Sequence, residues 1–140
     1  MKFQKRIYYI DQELLPPLDF DRHLIIDIET TGLEPKEDIV MCSGILECNT
    51  RKAIIYFLPD PTYHEAFRKF IRNTVLWYKS RDYVIWAYNA KFEEEFLGLK
   101  NIIHDLMIYR ITESTYIEEI DDYIESPSFI LLKMLKATDY

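Results

Sequence analysis

Three glycines, two cysteines and no uninterrupted run of about eighteen apolar residues set the first limits on this 140-residue chain. Without such a run no membrane-spanning helix is expected. The start, Met1 to Arg6, leads into Tyr-Tyr-Ile-Asp-Gln-Glu and not into the apolar core of a signal peptide. These absences predict a soluble, cytoplasmic protein. Two cysteines make no disulfide framework. Cys42 and Cys48 enclose Ser-Gly-Ile-Leu-Glu, which reads as one strand, and a strand holds its ends too far apart for a local bridge. Nothing supplies two further soft ligands for zinc, so both cysteines are read as buried free thiols. Internal repeats, low-complexity tracts and Gly/Ser linkers are absent, and 49% hydrophobic content suffices for one sizeable core. A single domain over residues 1–140 is expected.

Positive charge is also short. The net charge of −7 is awkward for a nucleic-acid partner, because affinity for phosphates comes largely from Lys and Arg. It leaves room for an enzyme that acts on a chain end through a bound metal. Arg68, Lys69, Arg72, Lys79, Arg81 and Lys91 could collect on one face, or simply form a solvated helix surface.

Alternation and β-branching predict strands near 23–29, 39–48 and 52–58, three consecutive antiparallel strands with turns at 33–37 and 49–51. Pro59-Asp60-Pro61-Thr62 breaks the pattern. Thr62 then caps a helix running to Lys79, with Ala66, Phe67, Phe70, Ile71, Val75 and Tyr78 at helical spacing. A strand at 83–88, a helix at 91–99 and a short strand at 101–104 follow. The order β-β-β-α-β-α-β predicts an α/β fold, a mixed five-stranded sheet flanked by helices, and it resembles the order expected of a ribonuclease H-like fold.

Residues 24–33, Leu-Ile-Ile-Asp-Ile-Glu-Thr-Thr-Gly-Leu, place two carboxylates two residues apart on an apolar strand, just before a turn. Alternation puts Asp27 and Glu29 on one side, roughly 7 Å apart at the backbone. Ile26 and Ile28 then point into the core. Partly buried carboxylates repel unless a cation sits between them, and oxygen-only ligands suit Mg²⁺ or Mn²⁺ better than zinc. The alternative is an edge strand whose acids face water.

The string Asp-Ile-Glu-Thr-Thr-Gly-Leu resembles the first motif of the DEDD (DnaQ-like) superfamily of 3′–5′ exonucleases, which share the ribonuclease H-like fold. The resemblance implies that Asp27 and Glu29 bind metal and that Thr30, Thr31, Gly32 and Leu33 hold the 3′-terminal nucleotide. Gly32 is expected to supply a positive φ or a close approach of backbone to substrate. Further on, Asn89-Ala90-Lys91-Phe92-Glu93 resembles the second motif, Asn-x-x-Phe-Asp, with glutamate in place of aspartate. It implies Asn89 and Phe92 at the substrate and Glu93 as a third catalytic carboxylate, binding metal or orienting its water. Helical spacing alone reads this stretch as an ordinary helix start, with Phe92, Phe96 and Leu99 packed and Glu94 and Glu95 in water. Ile102-Ile103-His104-Asp105 resembles the strand that follows. Asp105 is either a further metal ligand or a helix N-cap, and alternation points His104 away from it.

The third motif of these enzymes, His-x-x-x-x-Asp or Tyr-x-x-x-Asp, has no match at Asp121, Asp122 or Asp139. Ser126-Pro127-Ser128 followed by the apolar stretch Phe129–Leu135 resembles the helix that precedes that motif, so the domain could end before the family's last helix. The resemblance implies hydrolysis at a 3′ end of DNA or RNA, with Mg²⁺ or Mn²⁺, releasing nucleoside 5′-monophosphates. A homo-oligomer or partner protein could complete the site. The competing reading is a truncated or degenerate exonuclease-like domain that binds nucleic acid or protein without catalysis.

Overall fold

The computed structural model describes residues 3–9 and 22–106. In chain order the elements are β1 (Gln4–Tyr9), β2 (His23–Thr30), β3 (Val40–Glu47), β4 (Lys52–Phe57), α1 (His64–Lys79), β5 (Val84–Ala87), α2 (Ala90–Leu97) and β6 (Ile103–Asp105). The strands form one mixed sheet in the order β1-β4-β3-β2-β5-β6. Strands β1, β4, β3 and β2 pair antiparallel, whereas β2–β5 and β5–β6 are parallel. This is the ribonuclease H-like α/β arrangement the sequence predicts, with one strand more than the five expected.

The added strand, β1, has no buried residue, so it lacks the in-and-out alternation by which a strand is read from sequence. It is held at the sheet edge by backbone pairing with β4, while Phe3 just before it packs on Phe67 and Phe70 at ring distances of 5.1 and 5.4 Å.

Leu24, Ile26 and Ile28 of β2 enter the main core, as their alternation with Asp27 and Glu29 requires. They share it with Phe67, Ile71, Val75 and Tyr78, one stripe of α1. Phe67, Ile71 and Val75 are fully buried, each contributing about 1.5–3 kcal/mol of transfer free energy. Thr62 is not the cap of α1. Its N–H donates to Asp60 Oδ1 at 3.0 Å, capping a single 3₁₀ turn at Pro61–Tyr63 from which α1 continues. Pro61 explains the shift, since it has no N–H to leave unpaired at a helix start.

Strand β2 is the pivot of the sheet, antiparallel to β3 on one side and parallel to β5 on the other. The carboxyl ends of β2, β5 and β6 therefore open side by side at one end of the sheet, where open α/β sheets usually bind ligands. Both cysteines are free; Cys48 is buried, and burial pushes its thiol up to about 12, well outside the reactive range.

Candidate active site

Asp27 and Glu29 occupy the last turn of the β2 ladder, opposite Gly44 and Cys42 of β3, on the side of the sheet away from α1. Asp27 is half-buried and Glu29 is exposed. The register slips between Glu29 and Thr30, a bulge-like irregularity of the kind that re-aims side chains beside functional sites. The turn that follows is closed by Asp38, a residue that sequence reasoning missed. Asp38 Oδ1 accepts from Thr31 Oγ1 at 3.1 Å and Oδ2 accepts from the Glu34 N–H at 2.9 Å. Thr31 is tied in again by its N–H to the Ile39 carbonyl and by Ile39 N–H to its hydroxyl, both at 3.0 Å. One aspartate among the four charged residues of 34–38 carried no sequence signal of that role.

Gly32 has no positive φ, contrary to one of the two expectations for it. Its requirement is steric: a Cβ there would collide with the Asp38 carboxylate, with Cγ only 2.6 Å away. Gly32→Ala is therefore expected to cost about 1–3 kcal/mol by forcing Asp38 off Thr31 and Glu34, read as a lower urea midpoint with unchanged m-value. Leu33, at the tip, is 80% exposed, an unusual position for a large apolar side chain.

The second constellation begins where β5 ends. Asn89 sits in the left-handed region at φ 65°, a conformation asparagine tolerates better than most residues. Its N–H donates to Asp105 Oδ1 at 3.0 Å, so the end of β6 holds the strained residue that launches α2. The helix closes at Gly98, whose φ of 69° puts it in the left-handed cap that glycine adopts without strain. Between these ends Phe92 is half-buried, with its ring 4.8 Å from Phe96. Glu94 does not face water as expected. Its Oε2 accepts from the N–H groups of Ile102 and Ile103 at 2.9 and 3.4 Å, anchoring the entry to β6.

Glu93 points inward and is only 2% exposed. Its carboxyl pKa is raised to about 8, first by burial and then by the negative charges of Asp27 and Asp105; the amides of Glu93 itself and Ile28 act in the opposite direction. Glu93 of α2 is thus within electrostatic reach of one carboxylate from β2 and one from β6, at the carboxyl ends of the parallel strands. Oε2 of Glu93 is buried without a hydrogen-bond partner.

Asp105→Ala is expected to destabilise the chain by about 1.5–3 kcal/mol, the range for a charge-assisted hydrogen bond, and Asp105→Asn by less because an acceptor for Asn89 survives. Urea unfolding of the two variants checks the ranking.

Other candidates fall elsewhere. His104 is exposed and its ring lies 5.1 Å from Trp86, whose Nε1 donates to His23 Nδ1 at 2.9 Å. A groove of about 690 Å³ runs beside the 34–40 turn to the first turn of α1 and to Glu95 and Phe96 of α2, but none of Asp27, Glu29, Glu93 and Asp105 lines it. Asp121, Asp122, Asp139 and the stretch 126–135 lie outside the described residues. Among the described residues no helix is long and apolar enough to cross a membrane.

The family model described as RNase_H superfamily matches residues 24–120, more than half of the chain and the segment that carries all four acids. The chain belongs to the RNase H superfamily. No curated protein matches it. Membership suggests a nuclease-type function with nucleic acid as ligand, and RNase H-like nucleases generally use divalent metals.

The residues present suit such an ion. The donors are oxygen only, as Mg²⁺ and Mn²⁺ prefer, and a cation would supply the partner that Glu93 Oε2 lacks. Among the described residues no three Asp, Glu, His or Cys side chains are gathered into a ready metal cage.

Proposed function

We propose that the chain is a metal-dependent 3′–5′ exonuclease of the DEDD type, hydrolysing phosphodiester bonds of DNA or RNA to nucleoside 5′-monophosphates. The observation that carries the reading is Glu93, a buried carboxyl group with one unpartnered oxygen, under the negative charges of Asp27 and Asp105. As a purely structural residue it would be a liability, because ionising it at neutral pH costs folding free energy. In a site that binds a cation, the same placement becomes useful.

Asp27, Glu29 and Glu93 are the residues that would hold Mg²⁺ or Mn²⁺, with Asp105 as a further ligand. Such an ion, when bound, acidifies water and stabilises negative charge on a phosphoryl group. The chain's own groups position the substrate. Leu33 offers an exposed apolar surface to the terminal base, and the Thr30–Gly32 backbone, fixed by Asp38, presents a rigid turn. Asn89 and Phe92 flank Glu93 on the other side. Water adds to the last phosphorus, the bond to the preceding 3′ oxygen breaks, and that oxygen leaves with a proton. We read residues 1–140 as one such domain, its last carboxylate coming from Asp121, Asp122, Asp139 or a partner chain.

The second reading, a noncatalytic binding module, draws on the acidic net charge and on the lack of a match to the third motif. End-labelled single-stranded DNA and RNA, incubated with the protein in Mg²⁺, Mn²⁺ or EDTA, separate the two. Stepwise shortening from the 3′ end with either metal and none in EDTA is the expected result. Retained oligonucleotide binding with no cleavage would favour the module.

A further inference from the structure

Between Ala66 and Arg81 the chain carries five cations, Arg68, Lys69, Arg72, Lys79 and Arg81, and no acid, although its net charge is −7. The fold sorts them. Arg68 turns inward, Nη1 reaching the Phe96 carbonyl at 3.4 Å and Nη2 approaching Glu65 at 3.7 Å. Lys69, Asn73 and Trp77 lie on the exposed side of α1, four residues apart, with Lys79 and Arg81 exposed beyond them and Arg72 half-buried at the border. Among the described residues no carboxylate pairs with Lys69, Arg72 or Lys79.

The far end of this surface is organised. Trp77 is 49% exposed, and the Arg81 guanidinium lies 3.7 Å over its indole ring. Arg81 Nη1 also donates to the Trp77 carbonyl at 3.3 Å and to Ser80 Oγ at 3.2 Å. Arg22 joins it, donating to the Arg81 carbonyl at 3.1 Å, although Arg22 shares its charge with Asp82 at 3.9 Å. A guanidinium held flat on an aromatic ring has already lost much of its rotamer freedom, so less is lost when it takes a phosphate. Cations spaced along about 15 Å of helix and into the turn after it, interleaved with an exposed aromatic, match the two needs of a single nucleic-acid strand, phosphate neutralisation and stacking. The groove beside the 34–40 turn has the opposite character: Glu34, Glu37, Asp38, Glu65 and Glu95 outnumber Lys36 and Arg68 there, so it repels a polyanion.

We propose that the outer surface of α1 and the turn after it, from Lys69 and Arg72 to Trp77, Lys79 and Arg81, docks the sugar–phosphate backbone of a single-stranded nucleic acid. It holds the strand upstream of the 3′ end, and in that respect it rests on the exonuclease reading. The Trp77–Arg81 end of the surface lies toward the amino ends of β2 and β5, since Arg22 immediately precedes β2 and Arg81 stands three residues before β5. A strand ending at Asp27 reaches it only through several further nucleotides.

Binding of labelled single-stranded DNA and RNA of about twenty nucleotides to the full chain in EDTA, followed by anisotropy across a salt series, tests the surface. Arg72→Ala combined with Arg81→Ala is expected to weaken binding at least tenfold and to lower the slope of log affinity against log salt by about two. Trp77→Ala should weaken it further by about fivefold or more. Lys100→Ala, which removes one cation beyond α2, should do neither, and circular dichroism verifies that each variant is folded. Equal salt slopes for the double variant and for Lys100→Ala would overturn the proposal, as would polyglutamate or phosphatidylserine vesicles competing as well as an oligonucleotide. Metal-dependent cleavage by the unmodified chain is read separately. Cleavage together with equal slopes removes the surface and leaves the exonuclease; absence of both binding and cleavage removes both.

Discussion

Glu93→Gln is expected to raise the melting temperature of the metal-free chain by about 10 °C at pH 8 and to leave it nearly unchanged at pH 4. The cause is the raised pKa of Glu93, about 8 in the folded protein against 4.5 for an unperturbed group. Between those values the folded chain keeps a proton that the unfolded chain has released. Folding stability therefore falls as pH rises through the window, by up to about 1.4 kcal/mol per unit. Below pH 4.5 both states are protonated and the penalty vanishes; above pH 8 it is complete, of order 3–5 kcal/mol. Glutamine keeps the shape without the charge. Thermal unfolding in EDTA from pH 4 to pH 9 measures this directly. A glutamate that faced water would show no such slope.

The same charge geometry gives Asp27→Asn the opposite pair of effects. It should stabilise the metal-free chain modestly above neutral pH, because one of the charges that oppose ionisation of Glu93 is gone. It should also lower metal-dependent release of nucleoside 5′-monophosphate by about 100-fold or more, the several kcal/mol that a correctly held dication contributes to a phosphoryl transition state. In the unmodified chain millimolar Mg²⁺ or Mn²⁺ should raise the melting temperature by binding only the folded state, and Asp27→Asn should abolish that rise. Calorimetry and a single-turnover assay on one preparation separate stability from chemistry. A variant that lost activity by unfolding would lose both.

These effects arise from residues whose legibility in the sequence differed. Asp27 and Glu29 stood out because period-two alternation on an isoleucine-rich strand fixes which face each side chain takes. Helix α1 was equally plain, since Phe67, Ile71, Val75 and Tyr78 repeat at helical spacing and all four are buried. Strand β1 was not, because an edge strand held by backbone pairing needs no apolar face. The environment of Glu93 was also hidden. Spacing places it in the first turn of α2, but its burial against Asp27 and Asp105 depends on where three separate elements end. Asp38, Glu94 and Asp105 hold backbone N–H groups of residues four, eight and sixteen positions away, and local spacing gives no sign of which backbone group such an acid will meet.

The direct test of the central claim, that carboxylates from β2 and α2 form one cation site, is a Mn²⁺ titration followed by electron paramagnetic resonance, in which free ion is counted as bound ion disappears. The unmodified chain should take up Mn²⁺ saturably, and Asp27→Asn and Glu93→Gln should each weaken the same uptake by tenfold or more. Uptake unchanged in both variants, or lost in neither while cleavage persists, would contradict the account.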